Sequence, residues 1–95
     1  MTYRLTPRQW EAVRMCQQSG YLRCTSDGGS YVHPDHRREN VTGPTVPTWR
    51  AIRLAQKGVF EGRFRLGAFW VHMYLHPAFA AWLKAHDERA ARRRR

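Results

Sequence analysis

Cysteine and acid are both scarce in this chain, and no long apolar run interrupts it. Cys16 and Cys24 are the only cysteines in 95 residues. Two are too few for a disulfide scaffold, so free thiols in a reducing compartment are expected. The opening MTYRLTPRQW has no apolar signal region, which points the same way, to a cytoplasmic protein. The nearest approach to a membrane span is residues 66–83, where His72, His76 and Pro77 intervene. No membrane partner is expected.

Asp and Glu total seven, against 17 Lys and Arg, giving a net charge of +10. So few acids leave little room for paired-carboxylate catalysis. No phosphate-binding glycine loop or nucleophile elbow is present either. The reading is therefore of no enzyme and no cofactor. Five histidines keep one catalytic alternative open, a small basic ribonuclease with histidine as acid and base. Cys16, Cys24, His33 and His36 could in number supply four zinc ligands. Their spacing lacks the two close pairs of a finger or knuckle, so no metal is expected.

What the chain does have is basic charge and aromatic rings. Hydrophobic residues make up 42% and aromatics 13%, enough for one modest core and a single domain over residues 1–89. Arginine supplies most of the charge. It can fork to phosphate oxygens or to guanine, so a polyanionic partner is indicated, nucleic acid before an anionic surface.

The run TVPTWRAIRLAQKGVF concentrates these features. At about 100° per residue, residues 45–57 form a helix with two faces. Ala51, Leu54 and Ala55 lie on one side, with Ile52 at the flank. Val46, Trp49, Arg50, Arg53 and Lys57 lie on the other, a face without acid. Thr45 is read as N-cap with Thr48 at N3, although Pro47 disfavours helix at Val46. Gly58 stops the helix, since glycine enters the left-handed region freely.

Around it, residues 6–19 form the first helix. Thr6 and Gln9 make a capping box, Leu5 and Trp10 a hydrophobic staple, and Gly20 the stop. Trp10, Val13 and Cys16 share its buried face. Tyr21-Leu22-Arg23-Cys24 and Ser30-Tyr31-Val32 flank Asp27-Gly28-Gly29 as a small hairpin. Residues 33–44 read as a polar loop, with a turn of helix near 35–39 and with Arg37 and Arg38 near a partner. Residues 59–64 and 69–75 make a second hairpin, with Arg63 and Arg65 at its turn. Val71, Met73 and Leu75 face the core, while Trp70, His72 and Tyr74 face outward or cover its edge. Pro77 opens a last helix that packs through Phe79, Trp82, Leu83 and His86, with Lys84, Asp87 and Glu88 in water. Residues 90–95 form a basic tail.

The expected fold is α+β, with three main helices and two short β-hairpins. TWRAIRLAQKGVFEG followed by LHPAFAAWL resembles a winged helix-turn-helix domain over residues 45–83, of the small phage or bacterial type. That resemblance implies a DNA-binding transcriptional regulator in the cytoplasm of a bacterium or a phage-infected host. It carries over Thr48, Trp49, Arg50, Arg53 and Lys57 as contacts of a recognition helix, and Arg63 and Arg65 as contacts of the wing. Arg92, Arg93, Arg94 and Arg95 add a basic tail. Duplex DNA is the first expected partner, and the size suits a homodimer. A protein-docking adaptor using Trp49, Trp70 and Tyr74, or an RNA-binding protein, are the alternatives. One departure is the missing helix before the recognition helix, where the first hairpin and the polar loop stand instead.

Overall fold

A capping box starts the molecule. The Thr6 hydroxyl accepts from Gln9 N–H at 3.2 Å, and Gln9 Oε1 accepts from Thr6 N–H at 3.0 Å. With Pro7 in the first turn, this launches α1 over Pro7–Ser19, and Gly20, at φ 87°, ends it. Strand β1 (Leu22–Cys24) and β2 (Ser30–Val32) then fold across the turn at residues 25–29. The computed structural model describes residues 3–34, 44–67 and 69–93. The turn of helix expected near 35–39, with His36, Arg37 and Arg38, lies outside them.

The two expected hairpins are parts of one five-stranded sheet. Strand β3 (Val46–Pro47) adds to β2, and β4 (Phe60–Leu66) pairs with β5 (Phe69–Leu75). Antiparallel pairing of β1 with β5, Leu22 to Met73 and Arg23 to His72, joins the two halves. The order is β3-β2-β1-β5-β4. Each pairing satisfies backbone groups that would otherwise face solvent alone.

Helix α2 spans Thr48–Gln56, shorter than the expected 45–57. Pro47 keeps Val46 extended, and Val46 pairs with Tyr31, only 2% exposed. Its expected place on the outer helical face is therefore overturned. Thr45 makes no cap. Pro47 stands at the N-cap position, and Thr48 hydrogen-bonds the β1–β2 turn instead. Gly58 takes φ 77°, as the left-handed stop requires, and Val59 N–H returns to Leu54 O at 2.9 Å.

Helix α3 runs Pro77–Arg93 without a break, so residues 90–93 are helical and not a loose tail. Phe79 and Leu83 enter the core beside Ala12, Val13 and Cys16 of α1, Leu22 of β1, Ala51 and Leu54 of α2, and Met73 of β5. All three helices thus share the Leu22–Met73 side of the sheet. Trp10 and Trp82 are half-buried where burial was expected. Their indoles stack with His86 along the α1–α3 seam, leaving one edge wet. Val71 is likewise half-buried. Asp87, expected in water, accepts from Arg14 Nη1 and Nη2 at 2.8 and 3.0 Å and ties α3 to α1.

Candidate nucleic-acid interface

The sheet face opposite the helices carries a row set by register alone. Val32, Arg23, His72 and Arg63 stand side by side across β2, β1, β5 and β4. In the next row Tyr74 stands beside Glu61. Tyr21 stacks on Tyr74 at 5.2 Å between ring centroids and tilts against His72 at 4.7 Å. Phe64 meets His72 edge-on at 5.2 Å. Burial first, and then the Arg23 charge, hold the His72 pKa below its ordinary value. His72 is a neutral ring near pH 7, and the positive charge of the row comes from arginine.

Arginine also lies over the rings that the sequence singled out. Arg63 sits 4.3 Å above Tyr74 and pairs with Glu61 at 3.1 Å. Arg65 lies 5.4 Å from Trp70, and its Nε donates to Gly67 O at 3.1 Å. Arg50 lies 4.8 Å over Trp49, which is 62% exposed. Such stacking holds the planar guanidinium in place and occupies its face, leaving the N–H groups not already bonded to Glu61 or Gly67 for another acceptor. Arg63 and Arg65 are strand residues rather than turn residues, because β4 continues to Leu66. Trp70 lies across β4 at a glycine. A Cβ on Gly62 would collide with its indole, so only glycine lets that ring pack flat.

The start of α2 is fixed to the β1–β2 turn. Thr48 N–H donates to Gly29 O at 3.1 Å, and its hydroxyl donates to Gly28 O at 2.6 Å. Thr48 is thus an anchor that aims Trp49 and Arg50, with its hydroxyl already engaged. Trp49, Ile52, Arg53 and Gln56 follow as the exposed side of the helix, while Ala51 and Leu54 are buried. Lys57 does not join them. It follows the last helical residue, and its Nζ donates to Arg4 O and Gln9 Oε1, both at 3.4 Å, at the start of α1. Arg92 and Arg93 are exposed on the last turn of α3, on the helical side of the molecule. Arg94 and Arg95 lie outside the described residues.

Sequence reasoning missed Tyr21 and Arg23. The signal was the alternation Tyr21-Leu22-Arg23-Cys24, which sets Tyr21 and Arg23 opposite the core-facing Leu22.

The thiols and acids of the described residues are placed as follows. Cys16 is fully buried, its thiol donates to Met73 O at 3.5 Å, and burial pushes its pKa up to about 12. Among the described residues, no group of three His, Cys, Asp or Glu could hold a metal ion. No described helix is long and apolar enough to cross a membrane. The acids mostly serve the chain itself, with Glu11 beside Arg8 at 3.6 Å and Asp27 bonding Thr25 and Gly29 within its turn.

These features define a small α+β domain whose β4–β5 hairpin and central helix both carry arginine on aromatic rings. No family model, curated protein or solved structure matches the chain.

Proposed function

We propose that this chain is a nucleic-acid-binding module, in the first instance a small duplex-DNA-binding regulator of winged-helix type. In this reading α2 enters a groove with Trp49, Arg50 and Arg53, and the β4–β5 hairpin follows the backbone as the wing with Arg63 and Arg65. The observation that carries it is the placement of Arg50, Arg63 and Arg65 over Trp49, Tyr74 and Trp70. An apolar patch set apart from the charge would favour a docked protein. Aromatic rings interleaved with cations, on a chain of net charge +10, favour a polyanion with planar bases. Single-stranded RNA is the second reading, favoured by the half-buried ring cluster Tyr21, His72 and Tyr74 on the sheet.

An electrophoretic shift with duplex DNA, single-stranded DNA and RNA of matched length, across a salt series, tests both. Duplex affinity should fall with a log–log slope of about 0.9 per phosphate neutralised. Arg53→Ala should weaken binding and make that slope shallower by about 1 if the contact is to phosphate. Deleting residues 92–95 should lower affinity without changing sequence preference. Intact duplex binding after Arg50→Ala with Arg53→Ala, together with loss on deleting 92–95, would sink the role given to α2.

A further inference from the structure

The tip of the β4–β5 hairpin holds a phenylalanine in a place its pattern does not explain. Register pairs Phe60 with Leu75, Gly62 with Met73 and Arg63 with His72. Continued alternation would put Phe64 on the Met73 side, toward the core. Its backbone instead turns to φ 61°, the only positive φ at a described residue other than glycine. The ring swings to the edge of His72 on the opposite face and is left 66% exposed. Leu66, two residues on, is 73% exposed. A bulky side chain held in the left-handed region is strained, and such strain collects where a ligand uses it.

The neighbours of Phe64 are arranged differently. Arg63 is held by Glu61 and Tyr74, and Arg65 by Gly67 O and Trp70. The tip is thus an uncovered apolar ring between two arginines fixed by their own strand neighbours. Charge complementarity points this frame at a polyanion, and the ring has the shape and polarity to stack on a base. Apolar wedges of this kind, flanked by cations, unstack a base step and kink the duplex.

We propose that Phe64 is a wedge that inserts between adjacent base pairs of duplex DNA and bends it, with Arg63 and Arg65 gripping the flanking phosphates. This rests on the duplex reading above. It adds that the DNA is deformed, so flexible pyrimidine–purine steps should be preferred at the point of insertion.

The test uses the full chain and short duplexes carrying 2-aminopurine at successive positions, with donor and acceptor dyes at the ends. The expected result is a rise of several-fold in 2-aminopurine fluorescence at one step, with shortened end-to-end transfer distance. Phe64→Gly should abolish both signals while keeping the salt slope of binding. It should also raise the melting temperature of the protein, because glycine adopts φ 61° without strain. Phe64→Trp should restore the unstacking. Tight duplex binding with flat 2-aminopurine signals overturns the wedge and leaves the duplex reading standing. A signal on single strands alone also overturns it. Absence of binding to any duplex overturns both.

Discussion

Gly62 and Trp70 show how one missing atom organises the hairpin. The Trp70 indole occupies the space where a side chain at 62 would begin. Gly62→Ala should therefore force the ring off the strand and destabilise the fold by about 1–3 kcal/mol, the usual range for overpacking. Denaturant unfolding would measure that loss, and a red-shifted tryptophan emission would report the displaced ring. A change under about 0.5 kcal/mol would mean that Trp70 does not lie over Gly62. At this scale the sequence was legible where a residue has one dominant demand. Thr6, Gln9, Gly20 and Gly58 were all read correctly, because capping and left-handed φ are local requirements. The exposure of Phe64 is not a local demand of that kind, since strand alternation argues for burial and the left-handed φ runs against it.

At the level of elements, α2 separates its two faces around Leu54. Leu54 is fully buried, and Trp49 and Arg53 are exposed on the opposite side. Leu54→Ala should cost about 2–5 kcal/mol of stability in chemical denaturation, as truncations in tight cores do. A loss under about 0.5 kcal/mol would mean that the two faces had been exchanged. The helical wheel found this division from period alone. It erred at the start, placing Val46 on the helix, because a wheel carries no information about strand partners. The Val46–Tyr31 pairing depends on a segment fifteen positions earlier in the chain. The same limit explains why two hairpins were foreseen and a single sheet is found. Turn residues such as Asp27-Gly28-Gly29 announce local hairpins. Nothing in a local window announces that β1 lies against β5.

Across the whole molecule, α1 and α3 are held together by the stacked Trp10–Trp82–His86 rings and by the Arg14–Asp87 pair. The Arg14 guanidinium holds the Asp87 carboxyl below its ordinary pKa. A carboxyl depressed in the folded state adds stability that is present above the unfolded value of about 3.9 and is lost as pH falls through the folded one. Asp87→Asn should therefore be less stable than the parent above about pH 4, with the gap closing in stronger acid, so that the acid limb of the stability profile is flatter. The two side chains are 40% and 37% exposed, so the effect should stay under about 1 kcal/mol. An unchanged acid limb in urea titrations would remove the pair from the account of how α3 is held. The basic end of α3 was read as a tail because arginine runs suggest solvated chain. Ala90 and Ala91 favour helix strongly enough to carry it to Arg93, where cations suit the negative end of the helix dipole.

The strand order has a temporal consequence. Every other pairing joins strands that are neighbours along the chain, whereas β1 and β5 meet across some fifty residues. The hairpin pieces can form early, because closing short loops is fast. The β1–β5 junction must wait for the segments between them, since long closures lose more chain entropy. Tyr21 comes from one piece, and His72 and Tyr74 from the other. The ring cluster on the sheet therefore does not exist in either half alone. A nascent or partly unravelled chain carries the same basic charge, but it presents that aromatic surface only once β1 and β5 are paired.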